Sequence, residues 1–268
     1  GRMLNAITAK TSEELVWHKA IANINEKGGL MCQLDFSATP RDQKGRLFTH
    51  IISEYTLGQA IRDNIVKRPK ISEIENIPEI ETDDASEKYR VQIDAGVNKW
   101  RAYFKEFKKM GKKPILFVMA ENTRAADQVA AYLNTLKDLS EKVLLIHTDR
   151  KGEITKKDLS IARKQAREID DSENPYRAIV SVLMLVEGWD VRNVKVVVPL
   201  RSLTAKSNIL PEQTLGRGLR RMFPEPSLLG NYTDELLAIE HPSFRHIIDE
   251  ALKEEGVDIE FVPVEQQE

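Results

Sequence analysis

The chain has 268 residues, 41% hydrophobic and 31% charged, with a net charge of -2. That is enough apolar material for a substantial core in one large domain or somewhat more. The near-zero charge excludes a uniformly basic nucleic-acid coat, so any such contact is a local patch. The single cysteine, Cys32, excludes an intramolecular disulfide and a cysteine-built zinc site, and fits a reducing cytoplasm. No apolar run approaches the ~20 residues of a membrane span, and "GRMLNAITAK" lacks the apolar core of a signal peptide.

In chain order, "SEELVWHKAIANINEK" (12–27) predicts an amphipathic helix opened by Ser12, and "GG" ends it. "LMCQLDFSATP" predicts a short strand ending at Pro40, and "LFTHIISEYTL" another. "GQAIRDN" reads as a short helix and "IVKRP" as a short strand. Residues 71–87 hold seven acids and no base, and read as a loop.

From Tyr89 the rhythm changes. "VNKWRAYFKEFKKM" is helical, "PILFVMA" an apolar strand, "TRAADQVAAYLNTL" a helix and "KVLLIH" a strand. A helix "ITKKDLSIARKQAREI" and the strands "YRAIVSV" and "VKVVVPL" follow. "MFPEPSLLGNY" reads as a turn region, "PSFRHIIDEALKEEG" as a helix and "VDIEFVPV" as a last strand. Continuous apolar strands alternating with helices predict an α/β fold, a parallel sheet covered by helices on both faces. In such sheets ligands bind at the strand carboxyl ends. Ala120 to Asn122, His147 to Asp149 and Glu187 to Asp190 fall there.

Four stretches stand in a fixed order: "SATP" (37–40), "ILFVMAENTRAADQVAAYL" (115–133), "VSVLMLVEGWDV" (180–191) and "QTLGRGLRR" (213–221). Together they resemble motifs III, IV, V and VI of superfamily 2 helicases and translocases. "LDFSATP", "YTLGQAIRDNIVKRP", "EGWDVRNVKVVVPLR" and "QTLGRGLRR" most resemble the Res subunits of type III restriction enzymes, over roughly residues 30–225.

That resemblance implies a RecA-like (P-loop NTPase-type) fold, with ATP and nucleic acid bound between two such domains. Residues 1–40 would then be the tail of the first domain, 41–87 a bridge with an acidic loop, and 88–268 the second domain. The sequence contains no G-x-x-x-x-G-K-[ST] loop and no DExx box before "SATP", so it reads as one wall of an ATP site, inactive alone. The Asp249-Glu250 pair follows motif VI and reads as a solvated helix face.

The resemblance also assigns roles. Arg217 and Arg220 would be arginine fingers at the γ-phosphate, and their i, i+3 spacing puts them on one helical face. Gln213 lies one turn earlier, and Gly188 and Asp190 would complete the nucleotide side. Ser37 and Thr39 would couple hydrolysis to domain movement, or else make a hydroxyl turn before Pro40. Asn122, Thr123, His147, Thr148 and Ser181 would meet the nucleic-acid backbone. Asn122 or Thr123 would equally serve as a helix cap. Val182 stands where many relatives carry threonine. Arg221 reads as a surface charge, and Lys108, Lys109, Lys112 and Lys113 as a solvated helix end.

His241 and His246 lack metal partners. Trp17, Trp100, Tyr103, Phe104 and Phe107 read as core. The implied cofactors are ATP and Mg2+, with no metal ligand identified in this chain. The implied partners are duplex DNA, the rest of the first RecA-like domain and a methyltransferase subunit. Two rivals stand beside this: another superfamily 2 DNA-repair or RNA helicase, and a non-catalytic RecA-like binding module.

Overall fold

A computed structural model describes residues 12–36, 50–74, 77–78, 80–146, 164–165, 168–182, 191–200, 218–223, 225, 233–239 and 260–263. The chain divides into two compact units, Gly1–His50 and Ile51–Glu268.

In the first unit, helix α1 spans Ser12–Gly28. Gly29 stops it at φ +70°, a left-handed conformation that suits glycine, and its amide donates to Asn25 O at 2.9 Å. The strand expected next does not form over residues 30–36. A strand needs a neighbouring backbone, and among the described residues of this unit there is none. Met31, Leu34 and Phe36 are exposed.

Among its described residues the second unit has seven strands: β1 (Arg68–Glu73), β2 (Ile115–Met119), β3 (Val143–Ile146), β4 (Ala178–Ser181), β5 (Val194–Pro199), β6 (Glu235–Ile239) and β7 (Glu260–Pro263). They form one sheet in the order β3-β4-β2-β5-β6-β1-β7. Every pairing is parallel.

The central strands show why. Every residue of β2 and of β5 is buried, as a sheet covered on both faces requires. Side chains alternate. Ile115, Phe117 and Met119 join one core cluster, while Leu116, Val118 and Ala120 join another. Helices α3 (Ala85–Lys88), α4 (Arg90–Lys108) and α5 (Thr123–Thr135) supply the second cluster through Ala85, Ile93, Val97, Trp100, Val129 and Leu133. The opposite face is covered by Ile61 of α2 (Leu57–Arg62) with Ile169, Val191 and Leu219.

Several elements depart from the sequence reading. Residues 50–56 form no strand. Instead Thr56 caps α2 in a capping box with Gln59, because its hydroxyl competes for the helix amides. β1 starts at Arg68, late in the expected "IVKRP", and runs on to Glu73, so the acidic stretch begins inside it. "TDELLAIE", assigned no element from sequence, contains β6. Leucine and alanine give it little strand preference, and its place between β5 and β1 decides its form. Trp100 and Phe107 are core, and Tyr103 and Phe104 pack against it. Trp17, His241, His246 and Asp249-Glu250 lie outside what the structure describes of side chains or backbone.

Gly96 marks the tightest contact between α4 and the sheet. A Cβ there would stand 2.3 Å from Val198 Cγ2. Gly96→Ala gains about 1 kcal/mol of helix propensity, but overpacking against a stiff β-branched side chain costs about 1–3 kcal/mol. Chemical denaturation is expected to give a lower midpoint for Gly96→Ala, partly restored by adding Val198→Ala.

Candidate functional site

Two ends of the sheet carry chemistry. At the carboxyl end, β2 runs out through Ala120 and Glu121 into Asn122, the N-cap of α5. Asn122 Oδ1 accepts from Ala125 N at 2.9 Å, so the side chain is engaged as the cap. Thr123 is the first residue of the helix. The neighbouring strand ends are tied together: Ala120 N donates to Ser181 O at 2.9 Å, and Leu200 N to Met119 O at 2.8 Å. Ser181 itself is fully buried.

Beside Asn122 lies a cleft of about 230 Å³, lined by Thr82, Asp83, Lys88, Glu121, Asn122 and Arg124 among others. Its charge is mixed. Lys88 Nζ stands 3.6 Å from Glu121 Oε1, and the Tyr89 hydroxyl donates to the same carboxylate. Burial, then that carboxylate, pushes the Tyr89 phenol up from its ordinary value.

At the amino end, the last residues of the "QTLGRGLRR" stretch are anchored before the chain enters β6. Leu219 O accepts from Lys67 N at 2.7 Å. The Lys67 side chain is wholly buried and donates to Arg192 O at 2.6 Å, Val194 O at 2.5 Å and Gly218 O at 3.2 Å. Asp234, also buried, accepts from Met222 N at 2.7 Å through Oδ2. Met222 and Phe223 pack on Phe107. Between these anchors Arg220 is exposed.

The rest of this end is equally braced. Asp170 Oδ2 and Oδ1 accept from Arg192 N at 2.7 Å and Asn193 N at 3.0 Å. Lys195, buried within β5, donates to Glu235 O at 2.7 Å and stands 4.7 Å from the centre of the Tyr103 ring. Burial pushes the Lys67 ammonium down to about 7, against the pull of Asp234, and pushes Lys195 down to about 8.

Of the residues singled out from sequence, Asn122, Thr123 and Ser181 come together at the carboxyl ends of β2 and β4. Arg220 lies at the opposite end of the sheet, whose central strand β2, five residues long, spans about 15 Å. Ser37, Thr39, His147, Thr148, Gly188, Asp190, Gln213 and Arg217 lie outside the described residues. Two basic residues differ from their sequence reading. Arg221 is half-buried, and its buried Nη2 has no hydrogen-bond partner among the described residues. Lys113 is not a solvated helix end: its Nζ donates to Asp171 O and Asn174 O, each at 2.6 Å.

The anchors Lys67, Asp234 and Asp170 went unread. Lys195 left a trace, one cation inside "VKVVV", which a fully buried strand accommodates only with partners. Lys67 left none. Among the described residues there is no cluster of three metal-ligating side chains, and no helix is long and apolar enough to cross a membrane.

Comparison with family models and with curated proteins finds no match. Solved structures do match. One is a fragment described as an HsdR subunit of a type I restriction enzyme from Vibrio vulnificus YJ016, with TM-score 0.51 and 22% identity over 81% of this chain. This chain covers 40% of the length of that one. Another is the C-terminal domain of Dbp5 from S. cerevisiae bound to Gle1 and IP6, with TM-score 0.43 and 12% identity, covering 75% of this chain and 92% of that one. The fold is α/β and RecA-like. The former likeness bears on that fold alone.

The buried lysines set a pH dependence. Lys67 and Lys195 titrate near 10.5 when unfolded but near 7 and 8 when folded. Between those values the unfolded chain binds more protons, so stability rises with pH from about 7 to 10.5 and their contribution is lost below it. Denaturation at a series of pH values is expected to show that rise, with a smaller slope in Lys67→Met.

Proposed function

We propose that this chain is the second RecA-like domain of an ATP-dependent DNA helicase or translocase of superfamily 2, of the kind found in the Res subunit of type III restriction enzymes. The observation that carries this reading is the state of motif VI. Its Arg220 is exposed on a segment fixed on both sides, by Lys67 at Gly218–Leu219 and by Asp234 at Met222. An arginine that stabilises a phosphoryl transition state needs such fixed placement, since its contribution is electrostatic and positional. The order of the four sequence motifs supports the same reading. So does the likeness in fold to a chain described as belonging to a restriction enzyme.

On this proposal Arg217 and Arg220 meet the γ-phosphate, and Gln213, Gly188 and Asp190 line the nucleotide. Arginine suits the task because its planar fork matches phosphate oxygens and stays charged. ATP supplies the transferable phosphoryl group, and Mg2+ would travel with its phosphates rather than on carboxylates of this chain. Duplex DNA would run past the carboxyl ends of β2 and β4, near Asn122, Thr123, His147 and Thr148. The buried Ser181 would act there through its backbone carbonyl, which fixes the end of β2. Ser37 and Thr39 would couple to the first RecA-like domain. A methyltransferase subunit is the further partner in the cytoplasm.

The test is ATP hydrolysis by the full-length protein, with and without duplex DNA. DNA-stimulated turnover is expected, with a loss of roughly 10³-fold or more in Arg220→Ala or Arg217→Ala. Turnover stimulated equally by RNA would move the protein to another helicase class. No turnover at all would leave a RecA-like binding module.

Asn122 offers a separate check on the carboxyl end. Asn122→Ala is expected to lower stability by about 1 kcal/mol through loss of the α5 cap. Asn122→Asp should keep the cap and add a negative charge. If DNA passes this end, Asn122→Asp weakens DNA binding at low salt while leaving the thermal midpoint near that of the wild type.

A further inference from the structure

The three carbonyls around Lys67 Nζ match the three hydrogens of an ammonium group. They come from three places: Arg192 just before β5, Val194 at its start, and Gly218 two residues before Arg220. The Lys67 backbone adds a fourth tie, to Leu219 O. Among the described residues no charged side chain bonds Lys67. The charged groups that bear on it are Asp234 just before β6, Lys195 from β5 and Asp170 from the turn that precedes β4.

We infer that Lys67, in its ammonium form, is a positioning residue for Arg220, joining the lead-in to β1, the start of β5 and the arginine-bearing segment into one rigid joint. The inference rests on the reading of Arg220 as a phosphate-binding arginine and adds a regulation to it.

The chemistry follows from donor count. A neutral amine has two hydrogens and a lone pair, so loss of the proton leaves one of the three carbonyls unbonded and facing that lone pair. The contact to Gly218 is the longest, 3.2 Å against 2.5 and 2.6 Å, and gives way first. Gly218 then keeps no tie to Lys67 through the side chain, and the amino-terminal side of Arg220 rests on the bond from Lys67 N to Leu219 O, a weaker hold than the two together. Burial places this change near neutral pH, at about 7, where Asp234 sustains the proton and Lys195 opposes it. The joint therefore holds the arginine firmly under mildly acidic conditions and loosens as pH rises.

Two readouts test this on the full-length protein. The first is DNA-stimulated kcat for ATP between pH 6 and 9. The wild type is expected to lose about tenfold or more as pH rises through the Lys67 transition, in line with the sensitivity of catalysis to small misplacements. Lys67→Met should be low and flat in kcat, with KM for ATP little changed. Asp234→Asn keeps an acceptor for Met222 N but removes the charge that sustains the Lys67 proton, so its transition should move to lower pH. A purely structural role would not move that midpoint.

The second readout needs no activity. A spin label at position 220 (Arg220→Cys with Cys32→Ser) should be immobile at pH 6 and more mobile above pH 8. With Lys67→Met added it should be mobile throughout, the fold being confirmed by circular dichroism. Label mobility that ignores both pH and Lys67→Met overturns the inference, whatever the ATPase does. An Arg220→Ala protein with wild-type turnover overturns the motor reading instead, and the label then decides the clamp alone. If Lys67→Met fails to fold, Asp234→Asn and the wild-type label titration still decide it.

Discussion

Everything in the second unit depends on two adjacent parallel strands, β2 and β5, that have no exposed residue. A strand buried on both faces must satisfy its backbone entirely through its neighbours. β2 does so between β4 and β5, and β5 between β2 and β6. Once these four are aligned, both core clusters are defined by the alternation of side chains. The helices α3 to α5 can only lie over Leu116, Val118, Val196 and Val198, and Gly96 lets α4 approach at the closest point.

Parallel pairing has a second consequence. Every connection must carry the chain back from the carboxyl to the amino end. The segment bearing Arg220 is the end of such a return, from β5 to β6. It arrives where the strands begin, and there the fold gathers the buried Lys67, Asn193, Lys195 and Asp234 with the half-buried Asp170. Each has backbone partners, as a low-dielectric interior demands. Exceptions remain at this end and nearby, since Asp234 Oδ1 and Arg221 Nη2 are buried with no hydrogen-bond partner among the described residues. Incompletely satisfied groups of this kind raise the cost of the arrangement. Their occurrence beside Arg220 sets this joint apart from the apolar packing of the sheet's middle.

The two ends of the sheet divide the labour of a motor in the proposed reading. Nucleic acid meets the carboxyl end, where α5 is capped by Asn122. Nucleotide meets the arginines borne by a segment braced at the amino end. The sheet between is rigid on the scale of side-chain motion, so a displacement at one end is transmitted to the other as a whole-body movement. Lys67 stands at the head of β1, where the chain enters the sheet from residues 51–66.

The sequence by itself determined the α/β class, the parallel strands β2 to β5 and β7, and the cap of α5. Those features are written in local patterns: unbroken apolar runs, helical spacing, and a hydroxyl or amide just before a helix. It also carried the order of the motifs, which needs no geometry. Tertiary structure alone decided three things. It made β6 a strand, because "ELLAI" has no strand preference until β5 and β1 offer it partners on both sides. It denied strand form to residues 30–36 and 50–56, because an apolar run is a strand only when a neighbour accepts its hydrogen bonds. And it buried Lys67, a residue with no mark in the sequence, since the three carbonyls that hold it come from positions 125 to 151 residues away. Local pattern is legible because it lies within one helical turn or one strand. A partnership across that distance exists only after the chain has folded.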